Sequence, residues 1–254
     1  MTASPRVPTT AVLAGLVSVF LAGAGLAGPL EAGLAASAKG DYAEAIRLLR
    51  PLAEQGSGRA ESEVAAFYAR GLGVLQNKRE ASKWYRKAAD QGDARAQDHM
   101  GSIYDAGAGV PRDYAEADRW WRLSAEQGYA PSQLNLGINA GLGHGMPQDF
   151  GAARELFSRA AAQGYSQAYF SLATLYATGQ GAPVDLETAD MWLILTTSAA
   201  SDEAGPSRSE ALRVQAWVEK RMSADEISRA QQRSAKWKPE RQWWRFDAPS
   251  SGSE

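Results

Sequence analysis

Apolar and polar positions alternate with the period of an α-helix through the middle of the chain. Residues 60–70 and 78–90 each place their apolar side chains on one stripe of a helix. The stripes contain Ala60, Val64, Phe67 and Tyr68 in the first segment and Ala81, Trp84, Tyr85, Ala88 and Ala89 in the second. This pattern predicts a pair of amphipathic helices joined by a short turn.

The two-helix pattern recurs every 36 residues, and several kinds of position repeat in register. These are Gln-Gly pairs ending at Gly56, Gly92, Gly128 and Gly164; Gly-x-Gly turns at 71–73, 107–109, 143–145 and 179–181; Ala45, Ala81, Ala117, Ala153 and Ala189; Trp84, Trp120, Leu156 and Trp192; and Tyr85, Trp121 and Phe157. A helix pair of this length cannot bury its apolar face alone, so neighbouring pairs must stack. We therefore expect an all-α fold, a right-handed superhelical solenoid of about five helix-turn-helix repeats.

The repeat register ends after Thr197, and two further helices are expected to cap the solenoid over residues 201–238. The first would bury a stripe of four apolar side chains, and the second would start with a capping box formed by Ser223 and Glu226. That stripe contains Leu212, Trp217, Val218 and Met222. Residues 239–254 are interpreted as a tail that is aromatic at first and flexible at its end.

The repeated residues resemble a known family. The segments 65–68, 71–74 and 80–92, with their in-phase copies, are similar to the Sel-one-like repeat, a relative of the tetratricopeptide repeat. The resemblance covers residues 28–200, which we take as the solenoid. It implies an α-solenoid that serves as a protein interaction scaffold, commonly in bacterial envelopes or in signalling complexes.

The N-terminus has the pattern of a secretory signal peptide. Arg6 and the free amine precede an apolar run from Ala11 to Leu26, which small residues close. A helix of that run would span roughly 24 Å, less than the roughly 30 Å hydrocarbon core of a bilayer. Residues 1–27 are therefore predicted to be a signal peptide, cleaved after Ala24 or Ala27, and a retained anchor stays open as the alternative. The mature chain would be exported to the periplasm or secreted, with no integral membrane segment.

Composition narrows the chemistry further. The 254 residues carry 27 basic and 29 acidic side chains, and no dense stripe of Lys and Arg suggests a nucleic acid partner. The absence of cysteine excludes disulfides, thiolate nucleophiles and cysteine metal sites.

No candidate for catalysis or metal binding stands out. We interpret His99 as part of a variable surface column and His144, in the middle of a Gly-x-Gly turn, as a solvated loop residue. Trp84, Trp120 and Trp192 share a column that indicates core packing rather than a ligand platform. The sequence contains no catalytic motif that we recognise. We expect no catalytic residue, no cofactor and no metal ion.

One departure from the repeat pattern suggests a binding site. Asn139 stands where other repeats have an apolar residue, and Ala140 stands where they have tyrosine. Two explanations remain open: the helix stack loosens there, or Asn135, Asn139 and His144 form a polar notch that a partner occupies.

The family resemblance implies that the first helix of each pair lines the concave face. Asp98, Ser102 and Asp105 form a polar stripe on one such helix. The predicted site joins this stripe to the next repeat, so that a protein segment would cross both. It comprises Asp98, Ser102, Asp105, Asn135, Ile138 and Asn139, and the alternative site in the tail comprises Trp243, Trp244 and Phe246.

The sequence thus favours a non-enzymatic interaction scaffold or regulator in the bacterial envelope, with an unidentified protein partner. One alternative is an envelope enzyme acting on peptidoglycan or a related polymer, like the cysteine-rich branch of the family that has been linked to penicillin binding. That branch joins each repeat with a disulfide, which this chain cannot form. Another alternative is a periplasmic negative regulator of a membrane sensor kinase.

Overall fold

The computed structural model describes residues 28–199 and 208–240. These residues form twelve α-helices and no strand. In chain order the helices are α1 Pro29–Ala38, α2 Tyr42–Glu54, α3 Gly58–Arg70, α4 Lys78–Asp90, α5 Ala94–Ala106, α6 Tyr114–Glu126, α7 Ala130–Leu142, α8 Phe150–Ala162, α9 Gln167–Thr178, α10 Leu186–Ala199, α11 Arg208–Glu219 and α12 Ala224–Lys236. The signal peptide and most of the tail lie outside the described residues, and the predicted domain limits stay predictions.

The first ten helices form five antiparallel pairs that stack in chain order. Within each pair the two helices pack closely, and the second helix also packs against the first helix of the next pair, from α2 against α3 to α8 against α9. The helices from α2 to α9 therefore each bury an apolar stripe on two neighbours, as expected for a repeat that cannot fold alone. The expected all-α solenoid of five repeats is confirmed.

Local signals set the ends of the helices. Asp41, Asn77, Asp113 and Asp149 cap the second helices of four repeats by accepting a hydrogen bond from a first-turn backbone N–H. The first helices of repeats two to five end at a left-handed glycine, the first of each Gly-x-Gly turn.

The second glycine of the turn has a different role, which Gly109 illustrates. Its φ is +89°, and a Cβ there would lie 2.9 Å from the backbone carbonyl of Lys78, at the start of the preceding repeat's second helix. A side chain would push the two repeats apart. This glycine therefore sets the distance between neighbouring repeats, whereas the first one ends a helix.

Gln91, Gln127 and Gln163, each the glutamine of a Gln-Gly pair, tie the two helices of their own repeat together. Gln127 Nε2 donates to Gln97 Oε1 at 2.7 Å, and Gln97 Nε2 donates in turn to the carbonyl of Ala89 in the preceding repeat at 3.2 Å. Gln91 and Gln163 make corresponding bonds to Glu61 and Gln133. Polar links thus accompany the apolar stacking from repeat two to repeat four.

The aromatic columns lie in the core, as the repeat register indicates. Trp84 and Trp120 are 7% and 2% exposed, and the guanidinium groups of Arg86 and Arg119 lie over the Trp120 ring. In the neighbouring column, the indole of Trp121 packs so tightly on α5 that a Cβ on Gly101 would lie 2.5 Å from it. Large and small side chains therefore compensate one another across the helix interface.

The C-terminal helices α11 and α12 both pack against α10, and the Ser223–Glu226 capping box is present. The predicted apolar stripe of α11 is half wrong. Successive helix positions point about 100° apart, so Val214 and Val218 pack against α10 while Leu212 and Trp217 face outward. Ala211, one turn before them, is buried as well. Arg221 covers the exposed Trp217 ring at 3.8 Å.

After α12 the chain turns back onto the solenoid. The Trp237 ring packs edge-on against Tyr169 and Trp192, with ring centroids 5.2 Å and 5.7 Å away. The backbone N–H of Glu240 then donates to the carbonyl of Ala162 at 2.7 Å. The described start of the tail is thereby attached to the fourth and fifth repeats.

Candidate partner-binding face

The first helices of the repeats, α3, α5, α7 and α9, form a surface that we call the inner face. Most of its side chains are shielded by neighbouring helices: on α5, Ala106 alone is exposed and the other residues are buried or half-buried. The second helices present charged and exposed residues to solvent instead, such as Lys83 and Lys87 on α4. A face of half-buried side chains on several adjacent helices is suited to enclosing a ligand.

Asp98 is not part of an exposed polar stripe, contrary to the prediction from the sequence. It is 8% exposed, and its Oδ1 accepts hydrogen bonds from Ser132 Oγ at 2.7 Å and Asn135 Nδ2 at 3.1 Å. The Trp121 indole N–H donates to its backbone carbonyl. Burial raises the pKa of Asp98 to about 6, although these hydrogen bonds counter the shift. Asp98 therefore links α5 to α7 inside the molecule.

Asn139 is also internal. It is 3% exposed, and its Nδ2 donates to Oδ1 of Asp118 at 2.9 Å. Burial raises the pKa of Asp118. The amide that replaces an apolar residue is thus satisfied by a carboxylate on α6, which stands where the preceding repeat has Ser82. The structure supports neither a loosened stack nor a notch at this residue.

His144, the third residue of the predicted notch, takes part in a ring stack. Its ring stacks on Tyr114 with centroids 4.6 Å apart and planes 25° apart, so this turn residue is half-buried rather than fully solvated. The stack joins the turn after α7 to the first residue of α6. It fills the space between two consecutive repeats.

Three of the predicted site residues remain within reach of a partner. Ser102 and Asp105 are half-buried on α5, and Ile138 on α7 is 39% exposed. Asn135 is half-buried, and its side-chain amide is hydrogen-bonded to Asp98. Partner binding by any of them stays a prediction, and the alternative site at Trp243, Trp244 and Phe246 lies outside the described residues.

A pocket one repeat earlier was missed from the sequence. It has a volume of about 240 Å³ and lies between α3, α4 and α5. Its lining comprises Ala69, Arg70, Lys78, Ala81, Tyr85, His99, Ser102, Ile103 and Ala108. Ser102 belongs to both the pocket and the predicted site, so the pocket opens beside the predicted path of the partner.

His99 lines this pocket and is half-buried, whereas the sequence indicated an exposed surface position. Its ring lies 4.4 Å from that of Tyr85, and burial lowers its pKa to about 4, helped by the nearby charges of Arg95 and Arg70. The imidazole is therefore neutral at physiological pH. Comparison of the repeats at this position shows only that the residue type varies, which does not reveal burial.

Neither a metal-binding cluster nor a membrane-spanning helix is found in the described part of the chain. Residues 28–199 and 208–240 contain no group of three or more His, Asp or Glu side chains arranged to hold a metal ion. None of the helices in these two ranges has both the length and the apolar character required to cross a bilayer.

Stacked helix pairs with a shielded inner face define the class of α-helical repeat scaffolds. The Sel1 repeat model matches residues 25–57, 58–93, 94–129, 130–165 and 166–196. Because these matches cover well over half of the chain, the protein belongs to the Sel1 repeat family. Membership makes it a non-catalytic scaffold of a kind that generally mediates protein interactions.

Solved structures agree with this assignment. The crystal structure of a Sel1 repeat protein from Oxalobacter formigenes matches with a TM-score of 0.70 and 28% identity, covering 83% of both chains. The protective antigen c5321 of uropathogenic Escherichia coli, which displays an SLR fold, matches with a TM-score of 0.65 and 27% identity. That match covers 76% of this chain and 41% of c5321. A search of curated proteins finds no significant match.

Proposed function

We propose that this protein is an exported scaffold of the bacterial envelope that binds an extended protein segment across α5 and α7. The observation that carries the proposal is a pair of uncovered apolar side chains on the inner face. Ile138 and Leu142 are 39% and 57% exposed and lie one turn apart on the same side of α7. Neighbouring apolar side chains left open on a shielded face suit the apolar side chains of a partner.

The polar flank of this apolar pair adds a second element of recognition. Ser102 and Asp105 are half-buried on the adjacent helix α5. A partner segment that covers Ile138 would bring its own polar groups towards these two side chains. A basic or hydrogen-bonding residue in the partner would complement Asp105.

The binding experiment compares two apolar positions that differ in location. A chain carrying Ile138→Asp and Leu142→Asp is used as bait against envelope extract and compared with Leu75→Asp, since Leu75 is 90% exposed in the loop after α3. We expect captured proteins to be lost with the inner-face variant and retained with the loop variant. Equal capture by both variants would contradict the proposed face.

Export is supported by the N-terminal pattern of Arg6 followed by the apolar run from Ala11 to Leu26. The test is fractionation of cells that produce the full chain, followed by N-terminal sequencing. We expect a mature protein that begins near Gly25 or Gly28 in a soluble envelope fraction. An intact Met1 in the cytosol would refute export and leave the binding proposal to be judged by the inner-face variants.

A further inference from the structure

The pocket between α3, α4 and α5 exists because two side chains of the repeat pattern are replaced. Lys78 and Ala108 hold the positions that Tyr114 and His144 hold 36 residues later. In the later repeat, these two rings stack and occupy the space between consecutive repeats. With lysine and alanine in their places, the corresponding space of about 240 Å³ is open.

The rim of this pocket is cationic. Arg70 and Lys78 are both exposed at its edge, and no ion pair involving either is found among residues 28–199 and 208–240. A nearby carboxylate, Glu63, pairs with Arg95 at 2.8 Å. Another, Asp98, accepts hydrogen bonds from Ser132 and Asn135. Two cations that these carboxylates do not neutralise favour an anion at the rim.

The floor of the pocket is mostly apolar. Ala81, Ile103 and Ala108 line it together with the rings of Tyr85 and His99. The volume is below the roughly 300–1,000 Å³ of pockets for drug-sized ligands and cofactors. It therefore suits a single small residue whose apolar part points inward and whose charge stays at the rim.

We propose that this pocket binds the C-terminal residue of a protein partner, with an aliphatic side chain against Ile103 and the terminal carboxylate between Arg70 and Lys78. In a C-terminal residue, side chain and carboxylate branch from the same Cα, which matches an apolar floor beside a cationic rim. An internal glutamate that entered the pocket would carry its carboxylate past the two rim cations onto the alanine, isoleucine and ring side chains of the floor. The inference rests on the proposed function, because it makes Ser102 the point where the bound segment ends.

The test uses acetylated tetrapeptides, Ac-Ala-Ala-Ala-X, with X as Ala, Val, Leu or Ile, each prepared as the free acid and as the C-terminal amide. Binding to the full chain is measured by NMR titration or calorimetry. We expect a free acid to bind with a Kd of about 1 mM or tighter. The matching amide should bind at least about tenfold more weakly, because it lacks the charge that Arg70 and Lys78 would hold. Equal binding of acid and amide, or no binding of any acid, would overturn the proposal.

Two variants test the location of the site. Lys78→Tyr with Ala108→His would fill the pocket with the ring stack that the chain already uses one repeat later, and Arg70→Gln removes a rim cation. Both variants should weaken binding of the free-acid peptide at least about tenfold. The control is Lys83→Gln, an exposed lysine of α4 that pairs with Glu80 away from the pocket. An unchanged affinity in the filled variant, with circular dichroism showing a folded chain, would overturn the assignment.

The same variants separate this inference from the proposed function. If Ile138→Asp with Leu142→Asp abolishes capture from envelope extract while the filled-pocket variant captures the same proteins, the inner face binds a partner and the C-terminal pocket is refuted. If the inner-face variant keeps its partners but the peptide acids bind as expected, the proposed function fails and the pocket stands.

Discussion

Gly101 and Trp121 fit together as a small and a large residue across the interface between α5 and α6. A Cβ on Gly101 would lie 2.5 Å from the indole ring, so no side chain at this position fits beside tryptophan without movement. In the preceding repeat, the same two positions carry Ala65 and Tyr85. The repeats thus keep a common backbone arrangement by exchanging volume between two facing positions.

This fit predicts a specific coupling between the two positions. Gly101→Ala should lower the free energy of unfolding by about 1–3 kcal/mol through overpacking, despite the higher helix propensity of alanine. In a Trp121→Tyr background the same change should cost at least about 1 kcal/mol less, because the pair then copies Ala65 and Tyr85. Urea unfolding of the four chains of this double-mutant cycle measures the coupling. Additive losses would show that the two side chains do not compete for space.

The buried carboxylate of Asp98 predicts a pH-dependent stability. Its pKa is about 6 in the folded chain, against an ordinary value of 3.8. Ionisation therefore disfavours folding, and the contribution of Asp98 should fall by up to about 3 kcal/mol between pH 4 and pH 6 and stay constant above. Asp98→Asn keeps an oxygen that can accept from Ser132. Its stability relative to the wild-type chain should rise across that interval and then level off; a constant difference would contradict the shift.

His99 predicts the opposite trend in an overlapping range. Its pKa is lowered from 6.5 to about 4, so the unfolded chain takes up a proton before the folded chain does. The stability contributed by neutral His99 should be complete above pH 6.5 and be lost as the pH falls towards 4, by about 2 kcal/mol for this half-buried ring.

His99→Phe keeps a ring against Tyr85 but cannot be protonated. The wild-type chain should therefore lose stability relative to this variant on acidification, as measured by chemical unfolding at several pH values. Parallel pH profiles of the two chains would indicate that the imidazole titrates normally.

Trp120 and Trp217 lie in different environments, so replacing each by alanine should lower the free energy of unfolding by a different amount. Trp120 is 2% exposed between repeats, and Trp120→Ala should lower the free energy of unfolding by about 3–5 kcal/mol. Trp217 is 45% exposed on α11, and Trp217→Ala should cost about 1 kcal/mol or less. Urea unfolding of both variants, followed by circular dichroism, makes the comparison. A similar loss at the two positions would mean that the repeat column does not form the core.

The candidate site was only partly predictable from the sequence. The register of the repeats correctly placed Asp98 and Asn135 on neighbouring helices, and these two side chains are hydrogen-bonded. The register did not show that Asp98 is buried, because its burial depends on Ser132 and Trp121, which belong to other helices. The pocket could not be predicted from the sequence for the same reason. Lys78 and Ala108 are 30 positions apart, and only stacking of the repeats brings them to one cavity.

The sequence by itself determined the helical pairs, their ends and their number. Amphipathic stripes, side-chain caps such as Asp113 and helix-ending glycines such as Gly107 act within one or two turns of their own segment, and the 36-residue register repeats them. Only the tertiary structure decided which polar side chains face a neighbour and which face solvent. That outcome depends on how closely each repeat approaches the next, a distance set by contacts such as that of Gly109 with the Lys78 carbonyl.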